Sequence, residues 1–354
     1  MNALIRKKVL IVDDSAFMRK LLTDFLTGHP SLEVIGVARN GKEAVEKVKA
    51  LKPDVVTMDI EMPVMNGLDA VREIMAHTPV PIVMLSSTTT DGAENTMLAL
   101  EYGAVDFIAK PGGAISLNLH DVKDEIIQKV LAALQVQRTS LTRKKDILKK
   151  DFNSVTPAFY NVGKTVILIG TSTGGPRALQ EALKKLPATI QAPILVVQHM
   201  PAGFTKSLAN RLNGLCDIHV KEAEDGELLV NGTAYIAPGN YHLSIKKVGT
   251  SYCVNLDNER SPRMGHRPSV DVLFESAAQY ENLNVAAVVM TGMGQDGMRG
   301  LKLLKKSVKT VSIAESESSS VVFGMPKAVI EAGLADMVAD VQDIPKYLID
   351  LIKS

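Results

Sequence analysis

The sequence predicts an α/β protein built from two doubly wound domains. Short apolar, β-branched runs alternate along the chain with segments of helical period. At 354 residues the chain is also longer than one hydrophobic core usually supports. Reactive side chains come directly after the apolar runs in both halves, and the carboxyl ends of parallel strands share one edge of a sheet. We therefore expect two sites, one at the edge of each sheet.

The first predicted domain, residues 1–138, contains five strand and helix repeats, the (βα)5 pattern. Each repeat joins a short apolar strand to a longer segment in which apolar residues recur every three or four positions. Such a repeat predicts a parallel sheet with helices on both faces. The clearest strand runs are Val9–Val12, Val55–Met58, Ile82–Leu85 and Val105–Ala109.

A basic, polar stretch over residues 139–160 is typical of a solvated linker. The second domain is expected at 161–354, as a parallel-sheet hydrolase domain with an antiparallel hairpin. Turn signals such as Asp225-Gly226 and Asn231-Gly232 place that hairpin between Ile218 and Leu256. The strand runs of this half are Val166–Ile169, Ile194–Gln198, Thr233–Ile236, Val285–Met290 and Thr310–Ala314.

Composition narrows the class of protein. With 40 basic and 39 acidic residues, the net charge of +1 gives no electrostatic reason to expect a nucleic-acid partner. The two cysteines, Cys216 and Cys253, lack the spacing of a zinc site or a disulfide framework. No signal peptide or spanning apolar run is visible, so we expect a cytoplasmic protein without direct membrane insertion.

Three carboxylates are predicted to crowd one edge of the first sheet: Asp13, Asp14 and Asp59. Such a cluster is costly unless a cation neutralises it, and Mg²⁺ prefers carboxylate oxygens. One carboxylate can then act as a nucleophile toward phosphorus, with Lys110 placed to pair with the phosphoryl charge and Ser87 to bond a phosphate oxygen. The alternative is that the acids at these strand ends are helix caps.

The second half carries the residue types of acyl transfer. Ser172 stands in Gly170-Thr171-Ser172-Thr173-Gly174, a Gly-x-Ser-x-Gly pattern after a strand, which predicts an exposed nucleophile at a tight turn. His199 ends the next strand and is suited to take the serine proton. Asp296 follows a later strand and is suited to orient the imidazole. The alternatives are a phosphate-binding loop for the serine turn, a surface or capping histidine, and a helix cap at Asp296.

Residues 5–130 resemble the receiver domain of bacterial response regulators. The resemblance rests on Val12-Asp13-Asp14-Ser15, on Met58 to Pro63, on Ser86-Ser87 and on Lys110-Pro111. It implies that Asp59 is the phosphoacceptor, that Asp13 and Asp14 hold Mg²⁺ beside it, that Lys110 contacts the phosphate and that Ser87 is the switch hydroxyl. A chemotaxis histidine kinase is the implied phosphodonor.

Residues 163–345 resemble the catalytic domain of chemotaxis protein-glutamate methylesterases. The matching segments are Gly170 to Pro176, Gln198 to Pro201, Pro268 to Asp271, Thr291 to Gly297 and Phe323 to Pro326. The resemblance implies a serine-type carboxylesterase that releases methanol from glutamate methyl esters of methyl-accepting chemoreceptors and deamidates receptor glutamines. It assigns Ser172, His199 and Asp296 to the triad, and Thr171, Thr173 and Met293 to the oxyanion site or its support.

Three functions compete on the sequence alone. A hydrolase activated by phosphorylation explains both sites in one chain. A transcriptional regulator requires a basic recognition helix in the second half, and none is apparent. A non-catalytic adaptor is disfavoured by the presence of all three triad residues.

Overall fold

The predicted strands of the first half form one parallel sheet in the computed structural model, which describes residues 6–110, 119–136 and 163–353. Strand order along this sheet is β2-β1-β3-β4-β5. This order arises when β2 is added on one side of β1, and β3, β4 and β5 then follow in turn on the other side, through right-handed crossovers. The elements in chain order are β1 (Lys7–Val12), α1 (Ala16–Thr27), β2 (Leu32–Ala38), α2 (Gly41–Leu51), β3 (Val55–Asp59), α3 (Gly67–His77), β4 (Ile82–Ser86), α4 (Thr90–Glu101), β5 (Asp106–Ala109) and α5 (Leu119–Ala133).

Side-chain caps define where the first four helices begin. Ser15, Asn40, Asn66 and Thr89 each accept a hydrogen bond from a backbone N–H in the first turn of α1, α2, α3 and α4. The strands β3 and β4 are buried along their whole length, because helices cover both faces of the sheet. The strand ends that follow β1, β3, β4 and β5 therefore meet at one edge.

The second half forms a larger sheet of seven strands, all parallel, in the order β14-β13-β12-β6-β7-β9-β8. The predicted α/β class is thus confirmed for both halves. The elements are β6 (Lys164–Thr171), α6 (Gly175–Leu183), β7 (Ile194–Gln198), α7 (Phe204–Asn213), β8 (His219–Glu222), β9 (Thr233–Ile236), β10 (His242–Val248), β11 (Ser251–Asp257), α8 (Val270–Ala277), β12 (Leu283–Val289), α9 (Met298–Ser307), β13 (Lys309–Glu315), α10 (Met325–Glu331), β14 (Met337–Ala339) and α11 (Ile344–Lys353).

The antiparallel hairpin is present but smaller than the predicted segment. Among the strands that the structure describes, β10 and β11 are the antiparallel pair, from His242 opposite Asp257 to Val248 opposite Ser251. The strands β8 and β9, which lie earlier in the same segment, instead join the edge of the parallel sheet. All four residues of β9 are buried, which suits a strand covered on both faces rather than a hairpin with one wet face.

The chain separates into two compact units, Met1–Lys145 and Asp146–Ser354. The predicted linker, 139–160, lies outside the described residues, so the domain limits 1–138 and 161–354 stay predictions. Within the described ranges, no helix has the length and apolar character needed to cross a bilayer.

Candidate functional sites

The first unit gathers a lysine and two carboxylates at the edge predicted from its strand ends. Asp13 follows β1 and Asp59 ends β3, and both are almost completely buried. Lys110 follows β5, and its Nζ lies 2.7 Å from Asp59 Oδ2 and 3.2 Å from Asp13 Oδ2. Three separate strand ends therefore contribute to one polar pocket, as parallel pairing requires.

Burial and charge act against each other in this pocket. Burial raises the pKa of Asp59 to about 6, although the bond and charge of Lys110 oppose the shift, and the Asp13 carboxylate adds to it. Burial disfavours the charged form of Lys110, but the carboxylates of Asp59 and Asp13 outweigh it and raise the Lys110 pKa. The pocket is therefore strongly acidic with one cation, and it favours further positive charge.

The donor set fits a divalent cation. Asp13, Asp14 and Asp59 can each present a carboxylate oxygen so that all three lie within 4.8 Å of one another. Asp13 Oδ2 and Asp59 Oδ2 are buried, and both lie within ion-pair distance of Lys110 Nζ. Asp14 is exposed, which leaves room for water ligands. The guanidinium of Arg19 donates to the backbone oxygens of Asp13 and Asp14 and holds this turn in place.

The switch candidate Ser87 lies just past the end of β4, at the same edge. Its hydroxyl bonds Thr89 Oγ1 over 2.9 Å, so it is engaged with the cap of α4. The alternative that Asp13 or Asp14 caps a helix is not what the structure has, because the side chain that caps α1 is Ser15. Asp13 Oδ1 instead accepts the backbone N–H of Ser15.

In the second unit Ser172 lies directly after β6, half-buried, in the turn that leads into α6. Gly174 completes this turn with a φ of +77°, a backbone angle that residues other than glycine rarely adopt. The backbone N–H of Ser172 donates to Thr291 O over 3.0 Å, which ties the turn to the end of β12. The predicted strand, serine turn and helix are thus all present.

His199 lies beside this turn, at the end of the adjacent strand. Thr171 pairs with Gln198 in the register of β6 and β7, and the His199 N–H donates to Thr171 O over 3.2 Å. The ring Nε2 of His199 lies 2.8 Å from Asp296 Oδ2. The other ring nitrogen, Nδ1, is buried and bonds no described residue. A neutral ring that donates from Nε2 has Nδ1 free to accept a proton.

Asp296 is held by a dense set of donors. Its carboxylate accepts the Ser269 hydroxyl and the backbone N–H groups of Val270 and Asp271, besides His199. Burial opposes ionisation, but the His199 bond and charge and these N–H donors lower the pKa of Asp296 below its ordinary value. The carboxylate is therefore ionised and fixed against the imidazole.

The supporting candidates occupy different positions. Thr171 donates from its hydroxyl to Gln198 Oε1 over 2.5 Å, and Gln198 Nε2 in turn donates to Ser172 O over 2.9 Å. Thr173 is buried, and its carbonyl accepts the Thr291 hydroxyl. The backbone N–H of Met293 donates to no backbone carbonyl of the described residues.

Two further residues contribute to this site: from sequence, His266 was open between a substrate groove and an exposed loop, and Asp271 had no role of its own. His266 stacks on the His199 ring, with centroids 4.0 Å apart and planes 9° from parallel. Asp271, fully buried, accepts the N–H groups of Gly297 and Gly300 at the start of α9, and Asp296 shares the Gly297 N–H. The available signal was the segment Arg267 to Asp271, but nothing in its local pattern indicates which distant loop it contacts.

Comparison with known proteins agrees with both halves. The family described as CheB methylesterase matches residues 167–348, and the family described as response regulator receiver domain matches residues 9–119. A protein-glutamate methylesterase/protein-glutamine glutaminase of Geobacillus kaustophilus is 56% identical over 348 residues, which cover 98% of each chain. The protein of the same name in Bacillus subtilis is 48% identical over 355 residues, again 98% of each chain.

Among solved structures, the catalytic domain of Thermotoga maritima CheB methylesterase is 46% identical to this chain. The match covers 54% of this chain and 99% of that domain, with a TM-score of 0.51. The receiver match precedes the methylesterase match along the chain, in the same order as the two sheets. The curated relative is covered almost over its whole length. The chain belongs to the protein-glutamate methylesterase/protein-glutamine glutaminase family, with a receiver domain in front of a CheB methylesterase domain.

Proposed function

We propose that the second unit hydrolyses methyl esters of glutamate side chains on chemoreceptors, releasing methanol, and deamidates receptor glutamines. The observation that carries the proposal is the bond between His199 and Asp296, formed at the strand end next to Ser172. The names of the full-length relatives supply the substrate class. The activity then serves chemotactic adaptation by resetting receptor methylation.

The geometry supports a serine acyl-transfer mechanism. Nδ1 of His199 accepts the proton of Ser172 as Oγ attacks the ester carbonyl carbon. The imidazolium is stabilised by the Asp296 carboxylate, and it returns the proton to the leaving methoxide, so methanol departs. A water molecule then attacks the acyl-enzyme with the same histidine as base, which regenerates Ser172 and leaves a glutamate carboxylate. With a glutamine substrate the leaving group is ammonia.

The tetrahedral intermediate needs donors for its oxyanion. The Met293 N–H is one candidate, because it donates to no backbone carbonyl of the described residues and follows Gly292, which packs against the serine turn. A Cβ added at Gly292 would lie 2.8 Å from Ser172 Cβ, so only glycine lets this loop approach. Thr173, the residue after the nucleophile, is the second candidate, in agreement with its position in serine-turn hydrolases.

The test is methanol release from a methylated receptor by the full chain. Ser172→Ala should reduce the rate at least about 10³-fold, because the nucleophile is removed while the fold is kept. Ser251→Ala, in the hairpin, should match the wild type. An unchanged rate in Ser172→Ala would exclude the triad.

The first unit is proposed as the control element. Asp59 accepts a phosphoryl group from a histidine kinase, with Asp13, Asp14 and Asp59 holding Mg²⁺, which supplies charge neutralisation for the transfer. Asp59 Oδ attacks phosphorus, the bond from phosphorus to the kinase imidazole breaks, and Lys110 pairs with the resulting acyl phosphate. Ser87 then leaves Thr89 and bonds a phosphate oxygen. The support for these roles is the pocket geometry and the receiver match.

A further inference from the structure

Glu315, which the serine mechanism does not use, lies at the end of β13 and is only 1% exposed. The residue belongs to the strand and points into the interior, while its neighbour Glu317 is exposed. Burying a carboxyl group at this position costs free energy, which suggests that the group has a specific function.

The partners of Glu315 are neutral donors. Its Oε2 accepts the backbone N–H of Thr291 over 2.7 Å, and its Oε1 accepts the Ser319 hydroxyl over 2.9 Å. Within the described ranges no lysine, arginine or histidine nitrogen lies within 4 Å of it. The charged group that acts on it is Asp340, a like charge, whose carboxylate is bonded by the hydroxyls of Ser316 and Ser318.

Thr291 is the residue through which Glu315 reaches the reaction. The Thr291 carbonyl accepts the Ser172 N–H over 3.0 Å, and the Thr291 hydroxyl donates to Thr173 O over 2.9 Å. The same hydroxyl accepts the Val322 N–H. One residue at the end of β12 therefore holds both sides of the nucleophile turn, and Glu315 holds the N–H of that residue.

We propose that Glu315 is a positioning residue, which fixes the Thr291 backbone and thereby sets the placement of Ser172 and of the following Gly292-Met293 loop. The proposal rests on the proposed esterase function and adds a residue to it. Glu315 contacts neither the substrate nor the reacting atoms in this scheme. Its effect on the reaction passes entirely through the hydrogen bond from Thr291.

Burial favours the neutral form of this carboxyl, whereas its two hydrogen-bond donors favour the carboxylate. Burial raises the pKa of Glu315 to about 7, and the charge of Asp340 adds to the shift, against the opposing bonds from Thr291 and Ser319. The folded protein thus retains a proton that the unfolded chain loses near the ordinary value of 4.5. The stability due to this group is full below that value and is lost as pH rises through about 7.

The experiment compares Glu315→Ala, Glu315→Gln and the matched control Glu317→Gln in the full chain, with methanol release as the assay. Glu315→Ala should lower kcat at least about tenfold with KM unchanged, because the Thr291 N–H loses its acceptor. Glu315→Gln keeps an acceptor oxygen and should stay within about twofold of wild type near pH 6. Glu317→Gln should match the wild type throughout.

The pH profile separates positioning from simple packing. The ratio of wild-type kcat to that of Glu315→Gln should fall as pH rises from about 6 to about 8.5, because only the glutamate acquires a buried charge. Full kcat in Glu315→Ala would overturn the proposal, and so would a Glu315→Gln variant as slow as Glu315→Ala at about pH 6.

A measurement independent of hydrolysis covers the case in which the esterase assignment itself fails. Hydrogen exchange of the Thr291 amide should accelerate at least about tenfold in Glu315→Ala and stay at the wild-type rate in Glu315→Gln. Absence of methanol release in the wild type would reject the esterase and leave this readout intact. Unchanged protection of Thr291 in Glu315→Ala would reject the role of Glu315.

Discussion

At the scale of single residues, the carboxylate of Asp296 is the most constrained group of the second site. It accepts bonds from His199, Ser269, Val270 and Asp271, and its pKa is lowered although it is buried. These donors are satisfied only by an ionised acceptor with two oxygens. The side chain therefore does two things at once: it fixes the ring of His199, and it closes the loop that precedes α9.

Asp296→Asn should lower kcat about 10³- to 10⁴-fold, because an amide carries no charge to stabilise the imidazolium and presents N–H groups to existing donors. Steady-state methanol release at saturating substrate measures the loss. The matched control is Asp217→Asn at an exposed position, which should behave as wild type. A loss smaller than about tenfold would show that Asp296 does not orient the base.

At the scale of elements, the two units begin their helices differently. The first four helices of the receiver start at Ser, Asn or Thr caps, whereas α6, α7, α9 and α10 start at glycine without a side-chain cap. Glycine permits the sharp entry that a nucleophile turn needs. At the start of α9 the buried N–H groups of Gly297 and Gly300 are instead satisfied from another element, by Asp271.

Gly174→Ala should destabilise the second unit more than Gly226→Ala, although both glycines have a φ of +77°. Each variant carries the left-handed strain, about 1–2 kcal/mol. Only at position 174 would the new Cβ meet another residue, at 2.5 Å from Val321 Cβ, which adds about 1–3 kcal/mol. Calorimetric melting temperatures compare the pair directly, and equal shifts would contradict the steric argument.

The sequence predicted these elements well where the signal was local. Apolar β-branched runs located the strand ends, and the strand ends located Asp13, Asp59, Ser172 and His199. The turn signals between Ile218 and Leu256 did not indicate which strands form the hairpin, because they describe chain reversal and not the neighbour that a strand finds. The burial of Glu315 was also missed, since it depends on contacts with Thr291, 24 residues away.

At the scale of the whole molecule, the same construction is used twice, with different chemistry. Each unit collects side chains at the carboxyl edge of a parallel sheet, acidic groups with one lysine in the first and a serine, histidine and aspartate in the second. The proposed control of hydrolysis at Ser172 by phosphorylation of Asp59 requires a coupling free energy between the two sites. The expected carrier of that coupling is the added charge, about two negative units on the acyl phosphate.

Phosphorylation of the full chain should raise methanol release about fivefold or more, the lower end of typical coupling between sites. Acetyl phosphate with Mg²⁺ is a suitable small phosphodonor. Asp59→Asn should remain at the unstimulated rate, because an amide does not form the acyl phosphate, while the exposed Asp91→Asn should respond like the wild type. Equal stimulation of Asp59→Asn and wild type would show that the phosphodonor does not act through Asp59. An unchanged rate of methanol release in the phosphorylated wild type would show that the receiver does not control the esterase.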